Sequence, residues 1–165
     1  MARSEQPSPV VLDTSVLSNF ALTDDLDLLG EIPARFVTVE AMDGELRTGI
    51  ERGYEFLGRA VGAVEVIDIE GEPGDDLDSL GWGESYAIQA TREQDGTVVL
   101  DDGPARDRAD DLGVPLTGSI GLMIRLVRDG TISEAEANEI HRWWIEEGRF
   151  RSPVESITEA LERID

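Results

Sequence analysis

The chain has 165 residues, of which 36 are acidic and 14 basic, giving a net charge of -22. That length suits one domain with a proper hydrophobic core. The absence of cysteine excludes a disulfide framework and a thiolate metal site, and no apolar run approaches the ~20 residues of a membrane span, so no membrane partner is expected. All basic residues are arginine, since lysine is absent. Carboxylates spread along the chain without lysine fit a surface kept solvated in the cytosol of a salt-accumulating halophile. Near molar salt the screening length is about 3 Å, and self-repulsion at this charge becomes tolerable. At low salt such a charge opposes a nucleic-acid partner, but under strong screening the objection weakens. The opening from Met1 to Pro9 holds no apolar core of a signal peptide, which predicts a cytoplasmic protein.

The first predicted element is a buried strand, Val10, Val11 and Leu12, that stops at Asp13 and passes through Thr14 and Ser15 into a helix pattern of Val16, Leu17, Phe20 and Ala21. An acidic connector over 23–27 leads to Leu28, Leu29 and Gly30. Residues 35–39 read as a second strand, followed from Ala41 by a helix closing near Gly53 and a further short helix over 54–61. Residues 64–69 alternate apolar with acidic, as an edge strand does. The loop over 71–79, rich in glycine, proline and acids, is the candidate mobile segment. A helix opens at 81–84, and a strand at 97–100 ends at Asp101 and Asp102. Helix 103–112, a strand at 114–116 and an apolar helix over 120–127 follow. Two last helices are predicted over 133–147 and from about 153 to 164. Strands alternating with helices imply a parallel sheet covered on both faces.

Four acids each follow a strand: Asp13, Glu45, Glu84 and Asp102. Right-handed crossovers bring all four toward one edge of the sheet, where open α/β folds bind ligands. Gathered carboxylates suit a hard cation with oxygen ligands, Mg²⁺ or Mn²⁺. Each acid also has a structural use: Asp13 and Asp102 as helix caps, Glu84 at a helix N-terminus, Glu45 on an exposed helix face. The lone histidine, His141, is read as a solvated helix residue. Trp82 stands next to Glu84 as a packed loop residue or a base-stacking one. Trp143 and Trp144 are read as core or interface residues, an exposed pair pointing to a dimer.

Five stretches in order resemble the motifs of PIN-domain proteins. They are Val-Val-Leu-Asp13-Thr-Ser, the stretch ending in Glu45-Leu-Arg, Gly-Trp-Gly-Glu84 with its alanine-rich helix, Val-Val-Leu-Asp101-Asp102-Gly-Pro-Ala-Arg106, and Leu-Thr-Gly-Ser119-Ile-Gly. The combination is most similar to the PIN-like branch close to VapC-type toxins. The resemblance implies one PIN-like domain over 1–165, with a motif-bearing core at about 10–130 and C-terminal helices over 131–165. It implies a three-layer α/β/α fold with a parallel sheet of about five strands in the order 3-2-1-4-5. It further implies a metal-dependent ribonuclease, with Asp13, Glu45, Glu84 and Asp102 as catalytic residues and, with Asp101, as ligands of Mg²⁺ or Mn²⁺. The expected partners are single-stranded RNA, an antitoxin-like protein and a second copy in a homodimer.

The chain departs from the family pattern at Val39, where proline is common, and at Gly44, which weakens its helix. Of the adjacent pair, position at the base of a helix favours Asp102 over Asp101. Ser15, Ser119 and Arg106 are the candidate substrate contacts. Ser119 is placed to hold a metal-bound water or a phosphate oxygen, or else to cap its helix. Arg106 and Arg47 are placed to meet phosphate from the rim, or else to pair with surrounding acids. A catalytically silent PIN-like module is the rival function. A receiver domain needs a lysine, and a dehalogenase-type phosphatase needs an aspartate where Ser15 stands.

Overall fold

A computed structural model describes residues 7–164. Residues 1–6, part of the stretch read for a leader, and residue 165 lie outside the described region. A central parallel sheet has the order β3-β2-β1-β4-β5. Its strands are β1 (Pro9–Leu12), β2 (Arg35–Val39), β3 (Glu65–Ile67), β4 (Thr97–Val99) and β5 (Leu116–Thr117). Helices α1 (Thr14–Leu22), α2 (Glu40–Glu51), α3 (Trp82–Gln94), α4 (Gly103–Asp111) and α5 (Ser119–Arg128) follow strands one to five in turn. Helices α6 (Glu134–Gly148) and α7 (Ile157–Ile164) complete the chain. Among the described residues no helix is long and apolar enough to cross a membrane.

Alternation along the strands divides the core in two. Val11, Val37, Val98 and Leu100 face one side, against Ala87 and Ile88 of α3 and Ala105 of α4. Leu12 and Val99 face the other, against Val16, Phe20, Met123 and Trp144. This is the three-layer α/β/α arrangement expected, with helices on both faces because each face of a parallel sheet must be covered. In register, Val11 lies opposite Val37 of β2 and Val98 of β4. The strand order reverses between β1 and β4, and that reversal opens a crevice at their C-terminal ends.

The differences from the sequence reading have local causes. Residues 54–61 form only a short 3-10 segment, Glu55–Arg59, between glycines at positive φ (Gly53 at 102° and Gly62 at 82°). A glycine in the left-handed region closes the stretch at each end, so no α-helix runs through it. The last helix starts at Ile157 rather than near Pro153, because the start signal is Ser156, whose hydroxyl accepts from the Glu159 N–H. From α6, Asn138 Oδ1 accepts the Ile157 and Thr158 N–H groups as well. The loop over 71–79 is tied rather than loose. Leu77 is buried, Asp76 pairs with Arg92 at 2.7 Å, and Arg108 Nε donates to the Asp76 carbonyl.

On α6 one reading is corrected, and for the tryptophans the core alternative holds at Trp144. His141 is buried, not solvated, and shares a 2.6 Å hydrogen bond with Ser152 Oγ. Burial holds its imidazole below the ordinary histidine value. The tryptophans do not form an exposed pair: Trp144 is fully buried against Phe20, whereas Trp143 is 52% exposed. Adjacent helical residues point about 100° apart, so one can enter the core while the next faces solvent.

Candidate functional site

The crevice at the C-terminal ends of β1 and β4 is a cleft of about 1230 Å³. Asp13, Glu45, Glu84, Asp101, Asp102 and Arg106 all line it. The four crossovers therefore deliver the four strand-following acids to one place.

Asp13 enters from the end of β1. Its main-chain N–H donates to the Val99 carbonyl, extending the β1–β4 pairing by one residue. It stands at the N-cap position of α1 yet makes no side-chain capping bond. Its carboxyl instead accepts from the Ser15 hydroxyl at 3.0 Å. Burial, and then the negative charges of Glu84 and Glu45, push its pKa from 3.8 to about 7, against the opposing Ser15 bond. Among the described residues no arginine pairs with Asp13, Glu45, Glu84 or Asp102. A buried carboxyl among like charges without a cation is costly.

Glu45 reaches the cleft from the exposed face of α2, and Thr14 Oγ1 lies 2.8 Å from its Oε2. The same hydroxyl lies 2.8 Å from Met42 Sδ, but it has one proton, and the carboxylate is the better acceptor. Helix α3 meets α2 closely here because position 83 is glycine. A Cβ on Gly83 would lie 2.5 Å from Glu45 Oε1 and 2.7 Å from Met42 Sδ. One residue on, half-buried Glu84 sits in the first turn of α3. Burial first, then the Asp102 charge, raises its pKa, against a backbone hydrogen bond from Gly81. That bond is half of a capping box, the third helical residue reaching back to the cap.

The two aspartates after β4 are put to different uses. Asp101 is locked inside: Oδ1 accepts the Ser119 N–H at 2.8 Å and Oδ2 accepts the Ser119 hydroxyl at 2.6 Å. Asn19 Nδ2 donates to the same Oδ2 and to Ser119 Oγ. Burial still leaves the Asp101 pKa raised, against the Ser119 bonds and the Arg106 charge. Asp102 is exposed and caps α4 by accepting the Ala105 N–H at 3.1 Å, and its charge bears on Glu84. Ser119 is fully buried beneath the cleft, so the expected direct contact with substrate gives way to support of Asp101. Ser119 is the first residue of α5 and Gly118 is the N-cap, so Ser119 does not cap its helix. Arg106 stays on the wall with Nη1 donating to the Leu100 carbonyl at 2.7 Å. Arg47 pairs with Asp43 on α2 and does not line the cleft. Trp82 is 67% exposed at the start of α3, stacked obliquely on Tyr86 with ring centres 4.9 Å apart.

An all-oxygen, anionic donor set fits Mg²⁺ or Mn²⁺ and no softer ion. Among the described residues no three carboxylates close into a ready-made metal shell, so the side chains would have to converge to hold one. Asn19 and the segment between α6 and α7 escaped the sequence reading. A lone amide on the apolar face of α1 was the available signal for Asn19. Nothing in the local sequence marks 148–153 as a wall of the cleft.

Comparison with known proteins agrees with this architecture. No curated protein matches the chain. A PilT N-terminus domain protein from Sulfolobus solfataricus superposes with a TM-score of 0.50 at 19% identity, covering 69% of this chain and 89% of that one. VapBC2 from Rickettsia felis, a structure bound to a DNA fragment from its promoter, gives a TM-score of 0.51 at 13% identity, with 67% and 98% covered. PAE2754 from Pyrobaculum aerophilum gives 0.50 at 14% identity, with 73% and 98% covered. At such identities the likeness is one of fold. A family model described as DUF3368, PIN domain, matches residues 9–165, which takes in every strand of the sheet and all the cleft acids. With fold, strand order and match in agreement, this chain belongs to the PIN-domain family, whose members are in general divalent-metal-dependent nucleases.

Proposed function

We propose that this chain is an endoribonuclease that uses Mg²⁺ or Mn²⁺ to hydrolyse phosphodiester bonds of single-stranded RNA. One observation carries the reading: the buried Asp13 carboxyl lies among Glu45 and Glu84, and no arginine among the described residues pairs with it. Asp13, Glu45, Glu84 and Asp102 would hold the ion, which when bound supplies positive charge that acidifies a water and stabilises the leaving oxygen. The chain's own residues set the geometry for this. Ser15 fixes one Asp13 oxygen, Thr14 aims Glu45, and the Gly81 N–H steadies Glu84. Asp101, held by Ser119 and Asn19, anchors the turn that presents Asp102. Arg106 offers a positive charge to a substrate phosphate at the rim.

A second reading, a catalytically silent PIN-like binding module, draws on the carboxylates' not forming a closed shell as they stand. Titration calorimetry with Mn²⁺ in molar KCl, on the native chain and on Asp13→Asn, separates the two. Saturable binding lost in the variant, together with Mn²⁺-dependent cleavage of single-stranded RNA, supports the nuclease. Equal weak binding by both refutes it in favour of the silent module. We further infer an antitoxin-like protein partner, on the analogy of the Rickettsia felis VapBC2 complex, and self-association into a homodimer. Light scattering of the purified chain tests the latter.

A further inference from the structure

The cleft has a second, oppositely charged wall. It is built by residues 148–153, the strap between α6 and α7. Along the strap exposure alternates: Arg149 and Arg151 are exposed, Phe150 and Ser152 half-buried. The inward residues anchor it. The Phe150 N–H donates to the Trp144 carbonyl at 3.0 Å, and the Phe150 ring meets Trp144 edge-on with centres 5.8 Å apart. Ser152 is bonded to the buried His141 at 2.6 Å. The strap is therefore fixed to the body of α6, and the two arginines stand off it along the cleft.

Two features of these arginines need explaining. First, in a chain with 36 acidic residues and 14 arginines, each arginine has ample opportunity to pair. Yet among the described residues Arg52, Arg142, Arg149 and Arg151 make no ion pair or side-chain hydrogen bond, and of these Arg149 and Arg151 line the cleft. Second, Arg149 occupies the left-handed position that ends α6, at φ 57°. The other non-glycine residues at positive φ among those described are both aspartates, Asp24 and Asp95, a type that tolerates this region. Glycine is the usual residue at such a helix end, and arginine there is strained. An arginine kept in a strained, unpaired position beside a cleft calls for a ligand that it meets.

We propose that Arg149 and Arg151 form a phosphate-binding wall that holds the backbone of a single-stranded nucleic acid while the bond to be cut faces the carboxylates. This rests on the nuclease reading and assigns the side of the cleft along which the substrate runs. The chemistry is complementary: guanidinium groups bind phosphate oxygens in a bidentate fork, and the opposite wall repels them. On a chain of net charge -22, a local cationic wall offsets the repulsion that a polyanion meets at the cleft.

The test measures anisotropy of a labelled single-stranded RNA across a salt series, with Ca²⁺ in place of Mn²⁺ to slow cleavage. Mn²⁺ titration of each protein runs in parallel. For Arg149→Gln/Arg151→Gln we expect unchanged Mn²⁺ binding and RNA affinity lower by about tenfold or more. The slope of log affinity against log salt should fall by about 1.4, since each lost phosphate contact on a single strand removes about 0.7. Arg149→Gly separates this role from a structural one: it should raise the unfolding midpoint by about 2 °C while weakening RNA binding. Unchanged RNA affinity and slope with Mn²⁺ binding intact overturns the proposal and leaves the nuclease reading standing. Loss of Mn²⁺ and RNA binding by the native chain overturns both.

Discussion

Replacing Asp13 by asparagine should stabilise the protein in the absence of metal. The carboxyl is 5% exposed and its pKa is raised from 3.8 to about 7 by burial and by the Glu84 and Glu45 charges. A folded-state pKa above the unfolded one means that the native state binds more protons, so stability falls as pH rises. No penalty exists below pH ~4, where both states are protonated; it grows between ~4 and ~7 and is complete above ~7. At about 1.36 kcal/mol per pH unit, the shift from 3.8 to about 7 amounts to about 4 kcal/mol. Asparagine keeps a carbonyl oxygen for the Ser15 hydroxyl and carries no charge, so we expect a gain of about 2–4 kcal/mol at pH 8. For a chain of this size that is a rise in Tm of about 4–16 °C. Thermal unfolding followed by circular dichroism in EDTA, at pH 5 and pH 8, gives the readout. The gain should be large at pH 8 and small at pH 5. Adding Mn²⁺ at pH 8 should stabilise the native chain and leave the variant unmoved, because a bound cation relieves the same repulsion. If Asp13→Asn loses stability at both pH values, or if Mn²⁺ shifts both proteins alike, Asp13 is an ordinary structural residue and the reasoning fails.

Other substitutions probe the supports of the site. Gly83→Ala places a Cβ 2.5 Å from Glu45 Oε1 and 2.7 Å from Met42 Sδ. It should cost about 1–3 kcal/mol in urea unfolding and weaken Mn²⁺ affinity by turning Glu45 away. Gly44→Ala, with nothing within 4 Å of the added carbon, should stabilise α2 by about 0.5–1 kcal/mol in the same measurement. Ser119→Ala removes the 2.6 Å donor to Asp101 and should cost about 1–3 kcal/mol, again by urea titration. Trp144→Ala empties a fully buried ring site between Phe20 and Phe150 and should cost about 3–5 kcal/mol, whereas exposed Trp143→Ala should change stability little.

Local pattern along the chain is enough to mark much of the fold. Valine-rich runs ending in acids mark strands that stop at a functional edge, and β2 spans the residues expected, Arg35–Val39. Crossover handedness then sends Asp13, Glu45, Glu84 and Asp102 to one side, because a strand feeding a right-handed helix has one way to return to the sheet. Tertiary structure alone decided how these acids are used. Local sequence makes Asp13 look like a cap, but its burial at the switch point between β1 and β4 turns it into a strained carboxyl with a pKa of about 7. Asp101 and Asp102 are alike as a dipeptide, and only the arrival of α5 with Ser119, a hundred residues after Asn19, locks one and leaves the other exposed. His141 reads as a surface residue until the strap folds over it. Burial, repulsion and long-range hydrogen bonding depend on which elements meet, and that is settled by packing rather than by the order of residues along the chain.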